Sequence, residues 1–174
     1  EDLANVRSQL SKIESRTVYM CFSTDVIHSG HIAILRKAQK LGKVIIGVLS
    51  DEAVVNYKRF PLLPFEERKS LFESMAGIYK IVKQDTLSYR ENLLRYHPTY
   101  VVHGDNWRSG VQKPIRDEVC EVLATYGGQL VEYPYASDAK YAEIDKRVQM
   151  ELSTPDVRRG RLRKVLAMKG LVTA

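Results

Sequence analysis

The stretch TVYMCFSTDVIHSGH, residues 17–31, decides the fold. Its first six residues, Thr17 to Phe22, are a β-branched and aromatic run of strand length. Ser23 to Gly30 is turn-rich. Ile32, Ile34, Leu35, Ala38 and Leu41 then recur at helical spacing until Gly42 stops the helix. Val44 to Leu49 follows as a continuous apolar run, the pattern of a parallel strand covered on both faces. Strand, loop, helix and second strand make a βαβ unit.

The same alternation continues on either side. Leu3, Val6, Leu10 and Ile13 predict a leading helix over residues 3–15. Asn56 to Pro64 reads as a loop carrying Lys58 and Arg59. Pro64 then opens a helix whose first turn holds Glu66 and Glu67, where acids are favoured. Tyr79 to Val82 reads as a third strand, Leu87 to Tyr96 as a helix closed by His97-Pro98, and Tyr100 to His103 as a fourth strand. A helix from Lys113 to Tyr126 ends at Gly127-Gly128, and Gln129 to Tyr133 is the fifth strand. The expected fold is α/β, a Rossmann-like three-layer arrangement around a parallel five-stranded sheet. Ligands in such sheets bind beyond the carboxyl ends of the strands, which directs attention to residues 23–31, 50–59, 103–107 and 134 onward. The expected organisation is a leading helix (1–16), a catalytic domain (17–150) and a linker from 151 to 174 that starts a following domain.

Charge narrows the partners. The formal net charge is +6, but the residues from Asp156 onward carry +5 of it, leaving +1 for everything before. A polyanion binder would show a spread basic face, so nucleic acid is not expected. The longest apolar run, Val44 to Leu49, is too short to cross a bilayer. Cys21 and Cys120 read as reduced core thiols. With no signal-like start at Glu1-Asp2-Leu3, these features lead us to expect a cytoplasmic chain excised from a longer one.

Chemistry concentrates in His28-Ser29-Gly30-His31, which holds two of the four histidines. Gly30 lets backbone approach a ligand, and a helix start offers N–H groups to an anion. Two imidazoles there suit displacement at the α-phosphate of a nucleoside triphosphate. That chemistry needs in-line positioning and donors that meet charge on the equatorial oxygens, with no protein nucleophile. An acceptor that is itself a phosphate or phosphonate arrives ionised, so no general base is needed.

Residues 23–31 resemble the first signature of the cytidylyltransferase family within the HxGH nucleotidyltransferases. The similarity continues through Leu49-Ser50-Asp51-Glu52, Glu67-Arg68-Lys69 and His103-Gly104-Asp105-Asn106-Trp107, and spans roughly residues 17–134. The resemblance implies catalytic roles for His28, His31 and Lys58. It implies nucleotide contacts from Phe22, Ser23, Thr24, Asp25, Gly30, Arg68, His103, Gly104, Asp105, Trp107, Tyr135 and Ser137. Arg59, Lys113 and Arg116 are candidate acceptor contacts. Mg²⁺ is the implied cofactor, held by triphosphate oxygens and water with no direct protein ligand. A homodimer is the default assembly. Each assignment has a plainer counterpart: Lys58 and Arg59 as a solvated loop, Arg68 paired with Glu67 or Glu73, Trp107 as packing.

The late RTEGISTT-like motif of that family is replaced by Tyr135-Ala136-Ser137-Asp138-Ala139-Lys140-Tyr141-Ala142, where Ser137 and Lys140 stand in for its contacts. Residues 84–89 and 127–134 are similar to cytidylyltransferase domains fused to phosphoenolpyruvate phosphomutase in fosfomycin-type phosphonate biosynthesis. The basic tail from Arg158 resembles the opening of the phosphomutase part. The expected reaction is transfer of CMP from CTP to a small phosphonate such as 2-hydroxyethylphosphonate. Glycerol 3-phosphate or phosphoethanolamine as acceptor, ATP as donor, and a non-catalytic nucleotide-binding domain are the alternatives.

Overall fold

A computed structural model describes residues 2–23, 26–57 and 61–134, together with residues 143–144, 146–148, 150, 160, 163, 166–167 and 170–171. The five expected strands are present: β1 (Thr17–Phe22), β2 (Lys43–Leu49), β3 (Ile78–Gln84), β4 (Tyr100–Gly104) and β5 (Gln129–Tyr133). All pair in parallel, in the order β3-β2-β1-β4-β5. The helices are α1 (Leu3–Ser15), α2 (Ser29–Gln39), α3 (Asp51–Tyr57), α4 (Phe65–Glu73), α5 (Arg90–Tyr96) and α6 (Lys113–Tyr126). The fold is a Rossmann-like α/β fold, as the alternating pattern predicts.

Period-two alternation on the central strands sorts their side chains onto two faces. Val18, Met20 and Phe22 of β1 join Val44, Ile46 and Val48 of β2 on one face, packed against Ile34, Leu35 and Ala38 of α2 and Phe72 of α4. Tyr19 and Ile45 lie on the other face with Leu93 of α5 and Val119, Val122 and Leu123 of α6. Both faces are therefore covered, which explains the unbroken apolar runs of β1 and β2. Among the described residues, no helix is long and apolar enough to cross a membrane.

Three of the helices differ from the sequence expectation. Helix α2 begins at Ser29, three residues earlier than its apolar spacing shows, because His28 caps it. Asp51 to Tyr57 is helical, so the expected loop at 56–64 loses its first two residues to α3. The hydroxyl of Ser50 starts α3 by accepting from the Ala53 N–H at 3.1 Å. Two turns are too short for a hydrophobic period to register. Helix α5 starts at Arg90 rather than Leu87, because Tyr89 is drawn into the core beside Tyr19, 5.8 Å between ring centroids. At the opposite ends, His97 and Gly127 close α5 and α6 in left-handed conformations, with φ of 42° and 81°.

One polar chain crosses the second core. The Tyr19 hydroxyl donates to Gln84 Oε1 at 2.7 Å and accepts from Asn92 Nδ2 at 2.9 Å. Asn92 also donates to the Lys83 carbonyl, and Gln84 Nε2 to the Thr86 carbonyl, each at 3.0 Å. The chain ties β1 to β3 and α5 across β2. It fits because β2 carries Gly47 at the crossing, where a Cβ atom would collide with the Tyr19 phenol. Gly47→Ala is expected to destabilise the protein by about 2–4 kcal/mol, by overpacking and by breaking buried hydrogen bonds. Urea unfolding checks this. A change below about 0.5 kcal/mol would mean that the phenol relaxes freely, and the polar chain would lose its structural role.

Candidate active site

Strands β1 and β4 are neighbours, yet their connections leave in opposite directions. From β1 the chain turns to α2 on one face, and from β4 it leads to α6 on the other. Such a switch point opens a crevice beyond the strand ends, the usual ligand position in this class of sheet. Phe22 ends β1 there with Ser23 following it, and His103 and Gly104 end β4 with Asp105 following.

His28 is the N-cap of α2, with extended φ and ψ of −131° and 173°. Its Nδ1 accepts from the Gly30 N–H at 3.1 Å, and His31 Nδ1 accepts in return from the His28 N–H at 3.3 Å. The pair forms a reciprocal capping box built from imidazoles. The two rings lie 3.9 Å apart, tilted by 35°, and the Phe22 ring packs edge-on against His31 at 5.9 Å. A ring nitrogen that accepts from a backbone N–H carries no proton, so each neutral imidazole holds its proton on Nε2. Gly30 is buried at this first turn. Two imidazole N–H donors stand side by side at a helix N-terminus, suited to charge developing on phosphate oxygens.

Across the crevice, Asp105 to Trp107 form a single 3₁₀ turn. Trp107 is buried and stacks flat on His103, 3.7 Å between centroids and 10° between planes. Burial lowers the His103 pKa, so the ring stays neutral. Its Nδ1 lies 2.7 Å from the Gly104 carbonyl, which only accepts, so His103 carries its proton on Nδ1 and an acceptor lone pair on Nε2. That is the opposite tautomer to His28 and His31.

The turn is anchored from β5. Glu132 pairs in register with His103. Its Oε1 accepts from the Trp107 indole N–H and from Arg116 Nε, both at 2.8 Å. Its Oε2 accepts from Arg116 Nη2 and Arg108 Nε, each at 3.0 Å. The Glu132 side chain is 8% exposed. Hydrogen bonds from Arg116, then from Arg108 and Trp107, pull its pKa from about 4.5 down to about 2. Spacing alone carried no signal for Glu132, which looks like any polar residue in a strand.

Other expected site residues are held by protein partners. Arg68 is fully buried. It donates to the Leu49 carbonyl at 2.7 Å and the Leu63 carbonyl at 3.1 Å, and pairs with Asp51 at 2.5 Å, not with Glu67 or Glu73. Asp51 in turn accepts from the Phe65 N–H at 3.2 Å. Arg68 thereby ties the end of β2 to both flanks of residues 58–60. Lys113 pairs with Asp117 at 2.5 Å, and Arg116 is committed to Glu132. Thr24, Asp25, Lys58, Arg59, Tyr135 and Ser137 lie outside the described residues. Among the described residues, no group of three or more His, Cys, Asp or Glu side chains converges as a metal site.

The depressed pKa of Glu132 ties stability to pH. A lowered folded-state pKa contributes stability above the unfolded value, near 4.5, that is lost as pH falls toward 2. Glu132→Gln is expected to cost about 2 kcal/mol at neutral pH, the partly exposed arginines screening the rest. The gap between wild type and variant should close between pH 4.5 and 2 in denaturant midpoints. A gap that persists at the acid end would show that shape, not charge, makes Glu132 necessary.

The cytidylyltransferase-like family model matches residues 21–160. Over 103 residues the chain is 29% identical to ethanolamine-phosphate cytidylyltransferase of Arabidopsis thaliana, covering 56% of this chain and 24% of that protein. It is 32% identical over 80 residues to FAD synthase of Archaeoglobus fulgidus, covering 46% and 58%. With the bifunctional protein HldE of Desulfatibacillum aliphaticivorans the identity is 28% over 145 residues, covering 82% and 28%. The chain thus spans less than two thirds of each of these relatives. The lipopolysaccharide core biosynthesis protein of Thermoplasma volcanium shares the fold, with a TM-score of 0.60 at 17% identity over 70% of this chain and 98% of that one. With its strand order, its switch-point crevice and a family match over most of its length, the chain belongs to the cytidylyltransferase-like family.

Proposed function

We propose that this chain transfers CMP from CTP to a small phosphonate such as 2-hydroxyethylphosphonate, releasing pyrophosphate. The pair of Nε2–H imidazoles at the start of α2 carries the reading. A phosphonate oxygen attacks the α-phosphorus in line, the new P–O bond forms, and the bond to the bridging oxygen of pyrophosphate breaks. His28 and His31 donate to oxygens on which charge accumulates, and the N-terminus of α2 adds its dipole. Lys58 and Arg59 would hold phosphates beside them, with Ser23 and Asp25 next to the triphosphate and acceptor. Mg²⁺, drawing its ligands from triphosphate oxygens and water, would neutralise the leaving pyrophosphate.

The name of the Arabidopsis relative favours a second acceptor, phosphoethanolamine, in the same reaction. The FAD synthase match makes ATP the donor to compare with CTP. A homodimer, and fusion to a phosphoenolpyruvate phosphomutase domain, belong to the same proposal.

Pyrophosphate release with CTP, Mg²⁺ and 2-hydroxyethylphosphonate tests the activity, with ATP, glycerol 3-phosphate and phosphoethanolamine as comparisons. His28→Asn separates the two roles of the histidine, since Asn is a good N-cap but lacks the Nε2–H. It should retain most of the melting temperature and lose about 100-fold in kcat, whereas His28→Ala should lose both. Undiminished turnover in His28→Asn would remove the imidazole from the mechanism. Preference for ATP would make the enzyme an adenylyltransferase, and silence throughout would leave a binding domain.

A further inference from the structure

Helix α1 buries none of its 13 residues against the described residues. Its apolar side chains Leu3, Val6, Leu10 and Ile13 are 76%, 40%, 54% and 37% exposed. They follow one another at spacings of three, four and three, the a and d positions of two successive heptads. Every other residue of the helix except Ala4 is polar. A helix that packs on its own domain carries a broader stripe, with e or g apolar as well. A strict a/d seam is the surface that another such seam fits.

The base of the helix is fixed to the domain. The Lys43 N–H donates to the Arg16 carbonyl at 2.9 Å, and Gly42 leaves no room for a Cβ atom beside that carbonyl. Beyond this anchor, a helix of such length is marginal in water unless its apolar side is covered. The flanking charges select what covers it. With Leu3 and Leu10 at a and Val6 and Ile13 at d, Asp2 and Gln9 occupy g while Arg7 and Glu14 occupy e. In a parallel pair of identical helices, each g residue faces the following e residue of the other chain. Asp2 then meets the partner's Arg7 on both sides of the seam, and Gln9 meets the partner's Glu14, amide to carboxylate. An antiparallel pair that sets Leu3 on the partner's Ile13 brings the two Arg7 side chains together instead, like charge against like.

We infer that α1 is a self-association helix, its apolar seam covered by the same seam of a second copy of this chain lying parallel to it. The inference gives the proposed homodimer an interface, and it stands whether or not the chain transfers a nucleotide. Leucine at a with β-branched residues at d also admits further strands, so two copies are the smallest assembly. A seam of two heptads buries less than about 1,200 Å², the range of weak interfaces, so the assembly depends on concentration.

Sedimentation of the whole chain from about 1 to 200 µM should show monomer passing into dimer or a larger species. Leu10→Glu sets a carboxylate in the seam and should weaken association by about tenfold or more. It should leave the melting temperature of the domain unchanged, because α1 buries nothing against it. Parallel register sets the two a positions side by side, so mild oxidation should join two copies of Leu10→Cys. Ser8→Cys, at the outward f position, and the wild type, with Cys21 and Cys120 alone, should stay unjoined. Association that Leu10→Glu does not weaken puts the interface elsewhere and overturns the assignment, with the homodimer intact. A monomer at every concentration overturns the pairing, and a melting temperature lowered by Leu10→Glu would then show the seam to be covered within its own chain. Equal joining of the Ser8→Cys and Leu10→Cys variants overturns the parallel register. Pyrophosphate release is read separately, so its loss or presence leaves each of these outcomes standing.

Discussion

The first turn of a helix has N–H groups that must find acceptors, and in α2 two histidines meet that need. His28 and His31 each spend Nδ1 on a backbone N–H of the same turn. The bond that caps the helix also sets the tautomer, so the remaining ring proton sits on Nε2. An aspartate would cap as well but would leave no donor for a phosphate oxygen. Glycine between the histidines is buried, which keeps the turn compact. Helix start, imidazole orientation and donor chemistry are thus one structural event, placed by the end of β1.

Most charged groups around the crevice hold the walls in place. Arg68 has no exposure and organises the end of β2, the start of α3 and the segment before α4. Glu132 gathers Trp107, Arg108 and Arg116, and Trp107 carries His103 on its ring face. An isolated charge this deep would be costly, and each is matched by partners with good geometry. Arg68, Arg108, Lys113 and Arg116 are each paired with an acid, which agrees with a near-neutral domain once the C-terminal tail is set aside.

The second core depends on the same economy of space. Gly47 lets Tyr19 cross β2, Tyr19 fixes Gln84, and Gln84 ends β3. A core packing feature is in this way coupled to the end of β3. The coupling runs through rigid, mutually satisfied hydrogen bonds, and a buried network of that kind specifies one arrangement.

The sequence by itself determined the class of fold and the place of its chemistry. Unbroken apolar runs at 17–22 and 44–49, set between helical periods, admit little besides a parallel sheet covered on both faces. His28-Ser29-Gly30-His31 announced itself because it follows the first strand at a helix start. Short elements were less legible: α3 has two turns, and the early start of α2 depends on a side chain acting as a cap. Only the tertiary structure decided which partners the charged residues take. Arg68 meets Asp51 rather than Glu67 or Glu73, and Arg116 meets Glu132 rather than solvent. Local spacing describes neighbours along a helix or strand. These pairs join residues 16 or more positions apart, brought together by the β2–α4 and α6–β5 packing. The same holds for the opposite tautomers of His28 and His103. Each is set by whichever backbone group the fold places beside Nδ1, a donor in one case and an acceptor in the other.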